Sequence, residues 1–472
     1  MHSRAPVATT CPYCGTGCGL LVTPDGQEGI SGIRGDPSHP ANYGRLCGKG
    51  MALGETLAMD GRLLQPMVQG RPTSWSDALR QVADGFRQVL AKHGPEAVAF
   101  YVSGQLLTED YYVANKLLKG FMGSANIDSN SRLCMASAVV GHKRAFGADL
   151  VPCSYQDVEL ADLVVIVGSN TAWCHPILFQ RLLAARRADP RKRLVVVDPR
   201  RTATAMEADL HLPIQGGTDL TLWLGLLSRL FKQGGTDGVF LRQQVMMEGH
   251  AQEVADSYAP DAATVARLTG LTAEAVEEFY QLFMAHRRTV TLFSQGIDQS
   301  VQGSDQVNAI LNVHLASGRL GQPGMGPFSI TGQPNAMGGR EVGALANQLA
   351  CHLDFATPGH GEMLARFWQS DVLPDKPGLQ AVEMFQAMEQ GKIKAVWIMG
   401  TNPLVSLPDV GLARRALSRC PLVVVSEAVK NTDTTAMAHI LLPAQPWGEK
   451  DGTVTNSEHC ISRQRPFLLP RG

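Results

Sequence analysis

Cys11, Cys14, Cys18 and Cys47 are spaced C-x2-C-x3-C-x28-C, in a stretch that also holds Gly15, Gly17, Gly19, Gly44, Gly48 and Gly50. Three cysteines this close do not form two zinc knuckles, because a zinc ribbon uses two well separated C-x2-C pairs. Four thiolates suit a cubane iron-sulfur cluster, three from one glycine-rich loop and a fourth returning later. The glycines let backbone N–H groups turn toward the sulfurs, where hydrogen bonds tune the potential. On spacing alone, a structural zinc site and a redox-active Cys-x-x-Cys remain as alternatives. Lys49 follows the last of these cysteines by two residues; taken alone, it reads as a solvated charge.

A fifth thiol stands apart. Cys134 sits in Ser131-Arg132-Leu133-Cys134-Met135-Ala136-Ser137-Ala138, at the start of a small-residue run that can open a helix. A thiolate at a helix N-terminus is stabilised by the dipole and is a soft ligand for a transition metal. Cys153, Cys174, Cys351, Cys420 and Cys460 read as small buried hydrophobes.

These groups need elements to position them, and the sequence supplies a repeat. A helical pattern over Trp75 to Ala91 and a β-type run from Ala97 to Val102 open an α/β region. The apolar run after Asp162 ends in Gly168, Ser169 and Asn170; a helical stretch follows, and the strand Leu194 to Val197 ends in Asp198 with Thr202 nearby. The run after Lys394 ends in Gly400, Thr401 and Asn402, and Leu422 to Val425 ends in Ser426 and Glu427 with Thr432 nearby. Each unit reads as a βαβ half with N–H groups for a phosphate after the first strand and an acid for a ribose after the second. One dinucleotide per half is the expectation. The G-x-G-x-x-G fingerprint is absent, which disfavours ordinary NAD binding. Polar loops at Gln215 to Asp219, Ser294 to Gly296 and Thr331 to Asn335 each follow apolar sequence, as ligand-facing loops do.

The chain has 472 residues, 44% of them hydrophobic and 18% charged, which predicts about three folded domains and argues against disorder. A net charge of -1 gives no electrostatic footprint for nucleic acid. No apolar run is long enough to span a membrane, and Met1 to Thr10 carries no export signal, so the expected location is cytoplasmic.

Five segments together resemble the molybdopterin oxidoreductases. They are Cys11-Pro-Tyr-Cys14-Gly-Thr-Gly-Cys18, Cys47-Gly-Lys49-Gly, Ser131-Arg-Leu-Cys134-Met-Ala-Ser, Gly168-Ser-Asn170 and Met337-Gly-Gly-Arg340-Glu-Val-Gly. Within that family the chain is most similar to catalytic subunits of assimilatory nitrate reductases. The resemblance implies an α/β fold: a small N-terminal iron-sulfur domain, then two doubly wound Rossmann-like domains related as an internal repeat. The implied boundaries are 1–60 for the [4Fe-4S] domain, 61–135 with 325–472 for one pterin guanine dinucleotide, and 136–324 for the other.

Carried over residue by residue, it implies that Cys11, Cys14, Cys18 and Cys47 hold the [4Fe-4S] cluster, that Lys49 lies between cluster and pterin, and that Cys134 ligates molybdenum. Ser169, Asn170, Asp198, Thr202, Gln215, Gly217 and Asp219 match contacts to one dinucleotide, and Gly400, Thr401, Asn402 and Glu427 match the other. Gln295, Gly296, Gln333 and Asn335 line the central crevice, while Met135 and Arg340 match substrate-side positions. A guanidinium suits an oxyanion because its donors form a fork; a bare salt bridge from Arg340 to Glu341 or another acid is the alternative. Related formate dehydrogenases place a histidine after the metal ligand, where this chain has Met135. The implied reaction is therefore two-electron oxygen-atom transfer from nitrate, with electrons arriving through the cluster from a ferredoxin, a flavoprotein or an NADH-linked subunit. A formate dehydrogenase-like enzyme and a non-catalytic electron-transfer subunit are the alternatives. Relatives of this kind continue past the segment Gly452 to Glu458 into a C-terminal barrel that closes over both dinucleotides, whereas the sequence here ends at Gly472. The expectation is a loosely retained cofactor.

Overall fold

The computed structural model describes residues 5–26, 29–246 and 250–472, so Met1 to Arg4 of the N-terminal stretch lie outside the described residues. The chain opens with an antiparallel sheet of β1 (Val7–Thr10), β2 (Gly19–Pro24) and β3 (Ile30–Gly35). The first three cysteines occupy the β1 to β2 connection, closed by Cys11 N donating to Cys18 O at 2.9 Å. Alternation in β2 turns Leu20 and Val22 onto a core shared with Leu53, Ile177 and Trp447.

After this come β4 (Met67–Val68), β5 (Arg71–Pro72), β6 (Val98–Val102) and β7 (Ile127–Ser129). The chain then leaves to build β8 (Leu163–Val167), β9 (Arg193–Val197), β10 (Leu210–Leu212), β11 (Thr289–Phe293) and β12 (Gly326–Ser329). It returns with β13 (Ala395–Met399), β14 (Leu422–Glu427) and β15 (Ile440–Pro443), and closes in the hairpin β16 (Gly452–Thr455) and β17 (Ile461–Gln464). Among the described residues two large sheets result: β10-β9-β8-β11-β12, all parallel, and β5-β4-β15-β14-β13-β6-β7, parallel from β15 to β7.

The central strands explain themselves. β8 reads LVVIV and β6 reads VAFYV, and every residue in both is buried. Continuous apolar strands of this kind require helices on both faces, which makes each sheet doubly wound. The expected helix at Trp75 runs to His93, with Ser74 Oγ accepting from Asp77 N at its start and Gly94 at its end. In both sheets a short helix and a longer one join the first strand to the second: Thr171–Cys174 and Pro176–Ala188 between β8 and β9, Pro403–Ser406 and Val410–Arg419 between β13 and β14. Strand order reverses between β8 and β11 and again between β13 and β6. Crevices open at such switch points, beyond the carboxyl ends of the strands. Among the described residues no helix is long and apolar enough to cross a membrane.

Candidate functional site

The two switch points are built alike. Gly168 and Gly400 leave β8 and β13 with φ of 57° and 61°, and their N–H groups donate to Val197 O at 3.0 Å and Ser426 O at 2.9 Å. Asn170 Oδ1 accepts from Thr204 Oγ1 at 2.9 Å, and Asn402 Oδ1 accepts from Thr434 Oγ1 at 2.6 Å. Thr202 Oγ1 accepts from Ala205 N at 3.3 Å, as Thr432 Oγ1 does from Thr435 N at 3.0 Å. The acids close each loop: Asp198 Oδ1 accepts from Arg200 N at 2.8 Å, and Glu427 Oε1 from Ala428 N at 2.7 Å. Burial raises the Glu427 carboxyl above its ordinary range. Ser169 is buried beside Thr171, and burial lifts the Asp219 carboxyl to about 6, while Gln215 and Gly217 are exposed at the loop edge.

Beside Gly400 and Glu427 lies a cavity of about 580 Å³, lined also by Gln105, Glu109, Ser426 and Gln445. Thr204, Thr434 and Gln445 were not singled out from the sequence. The signal was present: residues 202–215 and 432–445 both carry Thr, Ala-Met, Leu-Pro and Gln in the same order.

Cys134 lies between the two units. It follows the turn Asn130–Leu133 and precedes the helix Ala136–Phe146, whose first flanking residue is Met135. Burial raises its thiol pKa and outweighs a 3.3 Å hydrogen bond from Gln295 Nε2. Gln295 and Gly296 open the helix Gln295–Asp298, and Gly296 N donates to Gly168 O at 2.9 Å. A Cβ on Gly296 would lie 2.5 Å from Gly168 Cα, so the loops after β8 and β11, which flank one switch point, touch through glycine. Gln333 links Cys134's turn to the other unit, accepting from Ser131 Oγ at 2.6 Å and donating to Asn130 Oδ1 at 2.9 Å. Asn130 Nδ2 in turn donates to Thr401 Oγ1 at 3.2 Å. Asn335 is a fastener: its amide donates to Leu106 O and accepts from Thr455 N, both at 2.7 Å.

A small cavity of about 20 Å³, the size of one water, meets Cys134, Met135, Thr331, Leu345 and Arg340. Arg340 is buried, its NH1 3.3 Å from Asp149 Oδ1 and its NH2 3.3 Å from Thr331 Oγ1. Burial would raise Asp149, but Arg340 and His142 outweigh it and hold its carboxyl far below the usual range. Of the acids considered for a salt bridge to Arg340, Glu341 pairs with His459 at 3.3 Å, and it is another acid, Asp149, that pairs with Arg340 at 3.3 Å. Met135 is buried among Val165, Val167 and Phe293, with one edge on the cavity. Asp149 has no sequence signature; only the fold brings it to Arg340.

The cysteine loop docks on this cavity's wall. Gly15 N donates to Gly332 O at 2.9 Å, and a Cβ on Gly15 would fall 1.9 Å from Thr331 O. His175 Nε2 lies 2.8 Å from the same oxygen, and Lys49, exposed on its helix, acts electrostatically on both Cys11 and His175. All ten cysteines are free thiols. Of those read as buried hydrophobes, Cys153 and Cys420 are buried, Cys174 and Cys460 are half-buried, and Cys351 is exposed on a left-handed turn with φ of 57°.

Residues 62–472 match the profile of the family described as "Molybdopterin oxidoreductase", and residues 5–58 match "Molybdopterin oxidoreductase Fe4S4 domain". The chain belongs to the molybdopterin oxidoreductase family. It is 56% identical over 466 residues to "Nitrate reductase" of Klebsiella oxytoca, covering 98% of this chain and 52% of that protein. To "Nitrate reductase" of Shewanella frigidimarina it is 51% identical over 477 residues, covering 99% of this chain and 50% of the relative. The chain thus spans about half the length of these curated relatives. The solved structure of acetylene hydratase from Pelobacter acetylenicus superposes with a TM-score of 0.82 at 19% identity, over 98% of this chain and 67% of that one, which establishes the shared fold.

The chemistry of the donors fits the family's cofactors, a [4Fe-4S] cluster and a molybdenum-molybdopterin. Burial, then repulsion from Cys14 and Cys47, pushes the Cys11 thiol up to about 12, and burial with the same neighbours raises Cys18 further. Four sulfurs gathered under one another's field ionise together only around a positive charge, which an iron-sulfur core provides. Among the described residues no three His, Cys, Asp or Glu side chains converge as ligands of a single metal ion do.

Proposed function

We propose that this chain is the catalytic part of an assimilatory nitrate reductase, converting nitrate, two electrons and two protons to nitrite and water. The observation that carries the reading is the buried cavity where a guanidinium, Arg340, faces the lone thiol Cys134. The names and 51–56% identity of the two nitrate reductases support it. Cys134 would ligate molybdenum, and Cys11, Cys14, Cys18 and Cys47 the [4Fe-4S] cluster. Two pterin guanine dinucleotides would lie along the switch points: one on Ser169, Asn170, Asp198, Thr202, Gln215, Gly217 and Asp219 in 136–324, the other on Gly400, Thr401, Asn402 and Glu427 in 61–135 with 325–472. The bound metal supplies the two-electron chemistry.

The chain's own residues capture and orient the anion. Arg340 presents a charged fork that Asp149 aims, and Thr331 fixes the second nitrogen. Met135 walls the cavity with an apolar edge that keeps water away and strengthens the electrostatic attraction. Met135 also favours nitrate over formate, because related formate dehydrogenases place a histidine after the metal ligand where this chain has Met135. Lys49 would sit between cluster and pterin on the electron route. The donor would be a ferredoxin, a flavoprotein or an NADH-linked subunit, and the site of action the cytoplasm.

Metal analysis and turnover test the proposal together. About one molybdenum per four irons, with nitrite formed from nitrate under a reducing dye, is the expected result. Iron without molybdenum, or turnover of formate but not nitrate, overturns it.

A further inference from the structure

The helix that begins at Thr108 changes from α to π winding over Lys116–Phe121. A π-turn is a costly local distortion that marks functional segments more often than chance. Here it accompanies a lysine in the interior: Lys119 is fully buried. An ammonium has three N–H donors. Each meets a main-chain oxygen: Gly343 O at 2.7 Å, Leu345 O at 2.9 Å and Gln348 O at 2.7 Å. The acid in its field, Asp128, is already held by Arg132 at 3.0 Å. Burial pushes the ammonium down to about 7, so the fold holds a costly cation for the sake of these three carbonyls.

All three carbonyls belong to the segment directly after Arg340. The same segment is gripped from other sides as well. Asn115, one turn before Lys119 on the same helix face, donates to Val342 O at 2.8 Å. Gln348 Nε2 returns to Arg340 O at 2.7 Å, and Leu345 lines the cavity with Arg340. Three carbonyls converging on one point repel one another unless a multiple donor sits there, so the turn keeps its shape through Lys119.

We infer that Lys119 is a positioning residue for anion capture, acting through the turn 343–348 to hold Arg340 and Leu345 against Cys134. This inference rests on the nitrate reading above. The mechanism is geometric: a displacement of about 1 Å in a binding fork is enough to weaken capture by an order of magnitude or more.

The test uses the full holoenzyme and two variants, Lys119→Met and Asn115→Ala. The second loosens the same turn without removing a buried charge. Three quantities are read: nitrate KM and kcat, bound molybdenum and iron, and amide hydrogen exchange over 341–350 with β8 as the internal reference. Expected is a KM raised roughly 10-fold in Lys119→Met and roughly 3-fold in Asn115→Ala, with kcat changed less than about 2-fold. Metal content should be unchanged and exchange in 341–350 faster than in the wild type, with exchange in β8 unchanged. An unchanged KM or unchanged exchange in a folded variant, even with a lower Tm, makes Lys119 a structural residue only and overturns the inference. If Lys119→Met does not fold, Asn115→Ala decides by the same criteria. If the wild-type holoenzyme does not reduce nitrate, the nitrate reading falls by itself, and the exchange measurement still decides whether Lys119 holds the turn.

Discussion

Arg340 touches three kinds of partner, a carboxylate, a hydroxyl and a thioether, and each limits where its fork can point. A lysine in its place delivers a point charge without the fork. Arg340→Lys should therefore raise nitrate KM by roughly 10-fold while lowering kcat less, as initial-rate kinetics would show; a fall in kcat with KM unchanged would place the interaction in the transition state. Asp298 offers a pH test. Its carboxyl is buried, with Oδ1 accepting from Ala138 N at 2.7 Å and Oδ2 unpartnered, and burial lifts its pKa to about 7. The folded state then binds a proton that the unfolded chain, titrating near 4, releases, so stability falls as pH rises from about 4 to about 7. Asp298→Asn keeps the acceptor and removes the titration. The loss of stability between pH 5 and pH 8, followed by thermal and chemical unfolding, should shrink by up to about 3 kcal/mol; an unchanged pH slope would show that Asp298 is not its source. Such residues were not legible in the sequence. Cys134 was, because its neighbours form a motif, but Asp149, Asp298 and Lys119 are ordinary acids and a lysine whose roles come from partners about 160 to 230 residues away.

At the level of elements, the contact between the cysteine loop and the loop after β12 depends on one missing side chain. Gly15→Ala would push a methyl into Thr331 O, whose main chain also meets His175. The substitution should cost roughly 3 kcal/mol and separate the cysteine domain from the Arg340 wall. Thermal unfolding and the rate of electron delivery from dye to nitrate would both fall; normal values for both would mean that the loops move apart freely. This contact was invisible in the sequence, where Gly15 looked like one more flexible glycine in a loop. The βαβ repeat, by contrast, was fully readable. Its strands are continuous apolar runs that end in a glycine and a polar pair, and such strings survive without knowledge of any long-range contact. What hid there was the reach of the repeat, since Thr204 and Thr434 each bond an asparagine more than thirty residues earlier in the chain.

On the scale of the molecule, the cysteine domain shares its core with distant chain: Trp447 Nε1 donates to Thr10 O at 2.8 Å, and Ile177 packs beside Leu20 and Val22. A ligand that binds only the folded state adds its binding energy to all of these contacts. Cys47→Ser should therefore abolish the visible absorbance of the cluster and lower Tm of the whole chain by about 5 °C or more. A variant that loses colour but melts like the wild type would show that the cluster is a guest and not a part of the structure.

The seven-stranded sheet carries a further consequence, for the order in which the protein is made. Val98 in β6 pairs with Ala395 in β13, while all of β8 to β12 is contiguous between them. On the ribosome the five-stranded unit can close as soon as its last strand emerges, but β6 must wait through hundreds of residues of synthesis for its neighbour. For that interval a strand that is wholly buried in the finished sheet has only the short β7 beside it, and one half of a switch point stands without its partner. The nascent chain is then at its stickiest, and a chaperone that recognises apolar strands would find its target in β6.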